Sequence, residues 1–281
     1  MKIARVGDVG KERLAALDSQ GMYRDLSSFR ADLDPDLLTD LSPLQRLDLE
    51  KFPVVPEGTR IGPCVGRVGK FICIGLNYSD HAAESGMAVP KEPILFFKAT
   101  SAICGPNDNV IIPRNSLRTD WEVELGVVIG KEARYVSEEN AMNHVMGYCI
   151  VNDISERDFQ LERGGQWVKG KSADTFGPIG PWLVTKDEIS NPQDLNMWLS
   201  VDEKLYQEGS TFTMLFDVPK LVSYISQFMS LQPGDIISTG TPPGVGLGQN
   251  PQVYLKPGQT MRLGIEGLGE QQQRTVPFDI T

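Results

Sequence analysis

Short apolar runs separated by turn residues dominate the chain from residue 70 onward. Many of these runs are rich in β-branched residues, which is typical of strands. The predicted strands are 71–76, 94–98, 110–112, 122–129, 148–152, 181–184, 197–201, 235–238 and 260–265. Only two segments indicate helices in this region, 136–144 with Ser137 as the N-cap and 218–229 with apolar residues at helical spacing. Because strands do not alternate regularly with helices, the pattern predicts a mixed, β-rich α+β protein with a rolled or barrel-like sheet.

The first 50 residues show a different pattern. Residues 3–6 and 21–25 indicate short strands, and the leucines between 36 and 52 indicate short helical segments. The stretch 53–69 is punctuated by proline and glycine, which predicts a linker. We therefore expect a small N-terminal domain at residues 1–66 and a larger domain at residues 67–281.

Composition narrows the class of protein. The chain has 281 residues and a formal net charge of −10, which disfavours nucleic acid as a partner because phosphate neutralisation needs clustered lysine and arginine. No apolar run approaches the ~18 residues of a membrane span, and no signal peptide is recognisable at the N-terminus. The four cysteines form no C-x-x-C pair, which favours buried free thiols. We expect a cytoplasmic protein.

Two acidic segments stand out within the apolar runs. Glu122 and Glu124 are two residues apart on a predicted strand, so their side chains share one face of the sheet. By itself such a pair is more typical of a solvated strand face than of a metal site. Asp153 ends another apolar run, where a metal ligand is often found. If the three carboxylates meet, they suit Mg²⁺ or Mn²⁺, whereas zinc would need His or Cys at ligand spacing.

Further polar residues follow the predicted strands. His81 and Glu84 would be in contact on a helix, and a carboxylate beside an imidazole makes a general base. Arg157 and Gln160 follow Asp153 by four and seven residues, so a helix starting at Asp153 would align all three. His144 is interpreted as structural. Residues 238–246 form a glycine-rich turn without a phosphate-loop or dinucleotide motif, but its backbone amides suit a carboxylate.

Six segments in order resemble the fumarylacetoacetate hydrolase family between residues 70 and 266. They are G-L-N-Y-x-x-H-x-x-E at 75–84, F-x-K at 96–98, E-x-E at 122–124, N-D-x-S-x-R-x-x-Q at 152–160, G-K-S-x-D-T-F-G-P-I-G-P at 170–181 and S-T-G-T-P-x-G-V-G at 238–246. The resemblance implies a rolled mixed β-sheet core with a smaller N-terminal domain. It also implies a homodimer or a dimer of dimers.

The resemblance also implies roles for individual residues. It implies Mg²⁺ or Mn²⁺, with Ca²⁺ as a further option, at Glu122, Glu124 and Asp153. It makes His81 and Glu84 a water-activating dyad on a lid. The remaining implied positions support the metal or contact the substrate, and they are Lys171, Thr175, Arg157, Gln160, Thr241 and Lys98.

The implied reaction is hydrolysis of a C–C bond in a 2,4-dioxo acid. His81 would take a proton from water, hydroxide would attack C4, and the metal and Lys171 would stabilise the pyruvate enolate left when the C3–C4 bond breaks. Segments 70–86, 98–113 and 223–246 resemble a bacterial subgroup that includes hydrolases of 2,4-diketo-3-deoxy-L-rhamnonate and L-fuconate and members labelled ureidoglycolate lyase. The metal and dyad favour diketone cleavage, with pyruvate and lactate as products.

Several alternatives remain open on the same scaffold. They are an acylpyruvate hydrolase, an oxaloacetate decarboxylase, and an isomerase or hydratase of an unsaturated 2-oxo acid. A protein that binds a small acid without catalysis is a further alternative, which the intact H-x-x-E and carboxylate set disfavour.

Overall fold

The computed structural model describes residues 1–80 and 89–279. Its strands are β1 (Lys2–Val6), β2 (Arg13–Leu17), β3 (Tyr23–Asp25), β4 (Phe71–Gly75), β5 (Ile94–Lys98), β6 (Ile103–Cys104), β7 (Val110–Ile112), β8 (Thr119–Asp120), β9 (Val123–Ile129), β10 (Val145–Asn152), β11 (Ser155–Glu156), β12 (Gly177–Thr185), β13 (Asn196–Val201), β14 (Lys204–Ser210), β15 (Ile236–Ser238), β16 (Thr260–Ile265) and β17 (Gly269–Pro277).

Within residues 1–80 and 89–279, helices are few and short. The α-helices are α1 (Pro35–Thr39), α2 (Ser42–Gln45), α3 (Glu138–Ala141), α4 (Arg157–Leu161), α5 (Val168–Lys171) and α6 (Val218–Ile225). Single 3₁₀ turns occur at Leu49–Lys51, Thr100–Ala102, Met142–His144, Lys186–Glu188, Thr211–Thr213 and Gly246–Gly248. The mixed β-rich α+β class expected from the sequence is confirmed. Within the described ranges, no helix is long and apolar enough to cross a membrane.

Two sheets form most of the structure. A ten-stranded sheet has the order β3-β2-β1-β12-β10-β9-β15-β4-β5, with β6 attached to β12, and a five-stranded sheet has the order β14-β13-β16-β17-β7. Strand β1 pairs antiparallel with β12, with Lys2 opposite Val184, so the N-terminal strands extend the large sheet. The domain boundary at residue 66 stays a prediction.

The central strands explain why the site lies where it does. All seven residues of β9 are buried, which is the pattern of a strand covered on both faces. Strand β10 pairs antiparallel with β9, and the register places Val151 opposite Glu124 and Asn152 opposite Val123. This pairing brings the start of β9 beside the end of β10. All four cysteines are buried and free, as expected.

The apolar pattern located many strands but missed others, among them β2, β14 and β17. Strand β17 carries Gln271, Gln273 and Thr275 on its buried side. The Gln271 side-chain amide donates to the Ile150 and Gly180 carbonyls at 2.9 and 3.1 Å, so its burial is satisfied by hydrogen bonds. Hydrophobic periodicity therefore carries no signal for β17. The predicted helix at 136–144 is also shorter than expected, because α3 passes into a 3₁₀ turn at Met142.

Candidate metal site

Three buried carboxylates meet at the junction of β9 and β10. Glu122 precedes β9, Glu124 lies within it, and Asp153 follows β10 directly. The Asp153 amide donates to the Glu122 carbonyl at 2.9 Å, which extends the pairing of the two strands past their ends. One ligand oxygen from each carboxylate lies within 4.8 Å of the others. The convergence of Asp153 on the two glutamates, which the sequence left open, is therefore present.

Two buried lysines contact this triad. The Lys171 ammonium donates to Glu122 Oε2 at 2.7 Å and to Asp153 Oδ2 at 2.8 Å. Lys98 donates to Asp153 Oδ1 and, at 2.9 Å, to the Ile154 carbonyl. The glycine at position 170 lets the chain pass close to Glu156, because a Cβ at Gly170 would lie 2.5 Å from the Glu156 carbonyl oxygen. Helix α5 can therefore approach α4 closely enough for Lys171 to reach the carboxylates.

The two glutamates titrate in opposite directions. Burial alone would raise the pKa of Glu122, but Lys171 and Arg157 outweigh burial and lower it to about 2. Burial raises the pKa of Glu124 well above its ordinary value, and the nearby charges of Asp153 and Glu122 raise it further. Burial alone would lower the pKa of Lys171, but the carboxylates of Asp153 and Glu122 outweigh burial and keep this pKa above its ordinary range. Glu122 is thus held ionised, whereas no lysine or arginine of the described residues forms an ion pair with Glu124.

The surroundings of Glu124 test whether a cation fits between the three carboxylates. Ser238 Oγ and the Gly240 amide donate to Glu124 Oε2 at 2.5 and 2.9 Å. Across residues 1–80 and 89–279 no hydrogen bond reaches its Oε1, and Glu124 lines the cavity described below. A hard divalent cation prefers carboxylate oxygens and would supply the missing countercharge. The donor set therefore fits Mg²⁺, Mn²⁺ or Ca²⁺, held by Glu122, Glu124 and Asp153.

Arg157 is bound by the protein itself. Its Nε donates to Asp120 Oδ2 at 2.8 Å, and its terminal nitrogens donate to Glu122 Oε1 at 2.7 Å and to Gln160 Oε1 at 3.0 Å. The prediction of a helix that starts at Asp153 is wrong. Residues Ser155–Glu156 are extended because they pair with Thr119–Asp120, so α4 begins only at Arg157.

Asp120 is a site residue that the sequence reasoning missed. It is fully buried, and besides Arg157 it accepts the Gly246 amide at 2.6 Å and the Leu247 amide at 2.9 Å. It therefore ties the glycine-rich turn to Arg157. The available signal was its spacing, because Asp120 precedes Glu122 by two residues.

The glycine-rich turn does hold carboxylates on its amides, but they are those of Glu124 and Asp120. Thr241, also in this turn, donates to the Val123 carbonyl at 2.9 Å and accepts from Gln207 Nε2 at 2.8 Å. Its hydroxyl is thereby fixed at the cavity wall. Gln207 was not predicted, because its strand β14 is largely polar.

A cavity of about 350 Å³ opens from the triad. Glu122, Glu124 and Lys171 lie on one side, and Phe96 and Trp167 are part of the remaining wall. The two rings pack edge to face at 5.3 Å between centroids, and the Lys171 ammonium lies 5.0 Å from the Phe96 ring. Gly75 permits this wall, since a Cβ there would lie 2.5 Å from Trp167 Cζ3. The volume suits a small organic molecule.

Thr175 forms no hydrogen bond to the triad within the described part of the chain. The Thr175 hydroxyl accepts the Ile111 amide at 2.8 Å, so it is bound to β7. His81 and Glu84 lie outside the described residues. His144 is not part of the cavity lining, is half-buried, and donates through Nδ1 to the Glu132 carbonyl at 2.7 Å, consistent with a structural role.

Comparisons with known proteins agree with this geometry. The family model for the C-terminal part of fumarylacetoacetate (FAA) hydrolase matches residues 70–276. A protein of Burkholderia orbicola (strain MC0-3), provisionally named a hydrolase, is 60% identical over 98% of this chain and 99% of its own. This chain belongs to the fumarylacetoacetate hydrolase family, and it is an enzyme of the hydrolase or isomerase class.

Two solved structures are similar over nearly the whole chain. A fumarylacetoacetate hydrolase from Exiguobacterium antarcticum has a TM-score of 0.88 and 35% identity, covering 99% of this chain and all of its own. Maleylpyruvate hydrolase from Sphingobium sp. SYK-6, in complex with manganese(II) and pyruvate, has a TM-score of 0.83 and 29% identity with the same coverage.

Proposed function

We propose that this enzyme hydrolyses the C3–C4 bond of a 2,4-dioxo acid, releasing pyruvate and a carboxylic acid, with Mg²⁺ or Mn²⁺ at Glu122, Glu124 and Asp153. The observation that carries the proposal is the carboxylate triad bridged by Lys171, where Glu122, Glu124 and Lys171 line a cavity. The similarity to a hydrolase that holds manganese(II) and pyruvate supports the same reaction class.

The side chains around the triad suit a reaction that creates negative charge. When bound, a divalent cation supplies Lewis-acid polarisation of the 2-oxo carboxylate. Lys171 keeps its proton because two carboxylates stabilise its ammonium, so it remains cationic and can stabilise a developing oxyanion. Arg157 holds Glu122 in place and ionised. These residues orient the acid and stabilise charge, and they leave water activation to another group.

For water activation we propose His81, oriented by Glu84, from their H-x-x-E spacing. His81 takes a proton from water, and the hydroxide oxygen bonds to C4. The C3–C4 bond then breaks, and its electron pair remains on the three-carbon fragment as an enolate. The enolate takes up a proton at C3 and becomes pyruvate, while C4 leaves as the carboxyl carbon of the second product.

We further propose a 2,4-diketo-3-deoxy sugar acid as the substrate, which would give lactate from a deoxyhexonate. The support is the sequence resemblance to that subgroup. We propose a homodimer or a dimer of dimers on the same basis.

A panel of 2,4-dioxo acids tests the reaction. Pyruvate release is followed with Mg²⁺, with Mn²⁺ and after chelation of divalent ions, and we expect turnover only with the ion present. Reaction in H₂¹⁸O should place the isotope in the released acid. Absence of the isotope there would instead favour decarboxylation of oxaloacetate or isomerisation, and absence of any turnover across the panel would reject the proposal.

A further inference from the structure

Much of the cavity wall is apolar. Leu161, Val245 and Leu247 line it together with Phe96 and Trp167. Gln160 and Gln252 add polar groups, but both are neutral. A substrate chain that extends away from the triad therefore meets hydrocarbon and amide surfaces.

Both cations in the described lining of the cavity are engaged by the protein. All three nitrogens of the Arg157 guanidinium have partners, two of which are the carboxylates of Asp120 and Glu122. Lys171 is shared between Glu122 and Asp153. Residues 81–88, which the structure does not describe, contain no lysine or arginine by sequence, and His81 is their one ionisable base. A second substrate carboxylate would thus lack a dedicated cationic partner.

The formal charges of the ion-paired network lead to the same conclusion. Four carboxylates, those of Asp120, Glu122, Glu124 and Asp153, face three cations, Arg157, Lys171 and Lys98. A divalent cation would turn this deficit of one positive charge into an excess of one. The single carboxylate of a 2-oxo acid neutralises that excess. A further carboxylate would be left uncompensated against an apolar wall, which is unfavourable.

From these contacts we infer that the enzyme selects substrates whose distal end is uncharged, so that it acts on monoanionic rather than dicarboxylic 2-oxo acids. The inference rests on the proposed function, because it assumes that the 2-oxo carboxylate lies at the triad. It assigns selectivity to the pairing of Arg157 with Asp120 and to the apolar wall. Leaving a polar or charged group without a partner should weaken binding about ten- to a hundredfold.

Binding of two inert acids of equal carbon number tests the inference directly. Neither 2-oxohexanoate nor 2-oxohexanedioate has the 4-oxo group needed for cleavage, and they differ only in the distal methyl or carboxylate. Calorimetric titration of the Mn²⁺-loaded enzyme should give at least about tenfold tighter binding for 2-oxohexanoate. Equal or tighter binding of the dianion would overturn the inference and leave the proposed function standing. Failure of both acids to bind would overturn the proposed function, and the inference with it.

A gain of charge provides the second test. Gln252 is exposed and lines the cavity, so a lysine can be introduced there without burying an ammonium group. The variant Gln252→Lys should shift the ratio of the two dissociation constants toward the dianion by about tenfold. The matched variant Gln252→Met, which is similar in length and uncharged, should leave the ratio unchanged. A ratio that moves equally in both variants would refute selection by charge.

Discussion

Replacement of Lys171 by methionine measures how much the ammonium charge of Lys171 stabilises the carboxylate triad. The ammonium donates to Glu122 and Asp153 from a position that is 2% exposed, and methionine keeps most of the volume without the charge. Each carboxylate retains another cation, Arg157 for Glu122 and Lys98 for Asp153. Removing one partner from a buried ion pair costs about 3–5 kcal/mol, and the retained cations favour the lower end. We expect a loss of roughly 3 kcal/mol in the free energy of unfolding when divalent ions are chelated.

The same substitution should strengthen binding of a divalent ion. Unit charges of like sign ~4 Å apart repel by about 4 kcal/mol at an effective dielectric constant near 20, and Lys171 Nζ contacts two of the three ligands. We therefore expect Mn²⁺ affinity to rise at least about tenfold. Each tenfold increase adds about 1.4 kcal/mol to the stability of the Mn²⁺-saturated variant, so the loss should shrink below about 2 kcal/mol.

Urea unfolding with chelator and with saturating Mn²⁺ measures both effects. The variant Lys169→Met is the matched control, since Lys169 lies on the same helix, is exposed, and donates to the Arg163 carbonyl at 2.6 Å. It should lose less than about 1 kcal/mol in either condition. The reasoning would be refuted if Lys171→Met were equally destabilised with and without Mn²⁺ and bound the ion no more tightly than the wild type.

Three further predictions concern other residues of the site. His81→Ala should lower turnover of a 2,4-dioxo acid by about 10²–10⁴ while Mn²⁺ affinity is retained, and near-normal turnover would reject His81 as the base. Burial and neighbouring carboxylates raise the pKa of Glu124, so the metal-free protein holds this proton above the ordinary range of a carboxyl group, and its stability falls as the pH rises from the ordinary carboxyl pKa through the raised one. Mn²⁺ binding at a pH between the ordinary and the raised pKa should therefore release a proton, seen as a dependence of the calorimetric heat on buffer ionisation enthalpy, and the release should disappear in Glu124→Gln. Asp120→Asn should lose about 3 kcal/mol in urea unfolding because the buried Arg157 keeps a single carboxylate partner. The control Asp158→Asn, at a half-buried position whose partner Arg163 is exposed, should lose less than about 1 kcal/mol; equal losses would contradict the role of Asp120.

Local sequence determined the components of the site. The spacing of two between Glu122 and Glu124 required both side chains to share one sheet face, whatever the rest of the fold, because side chains alternate along a strand. The apolar run ending at Asp153 likewise required an acid at a strand end. The order of the short motifs also indicated the family. The two strand features depend on backbone geometry over a few residues, and the spacing of residues along the sequence reflects that geometry.

Only the tertiary structure decided which residues meet. The antiparallel register of β9 and β10 brings Asp153 to Glu122, and the packing of α5 on α4 at Gly170 brings Lys171 to both. These contacts join residues 31 and 49 positions apart, and local spacing does not encode such distances. The same is true of Arg157. The sequence suggested a cation for the substrate, but the extended segment Ser155–Glu156 places it against Asp120 and Glu122, where its charge is neutralised by the protein. A carboxylate pair on a strand face therefore becomes a candidate cation site because the fold supplies three buried cations for four acids, a balance that only the packed structure sets.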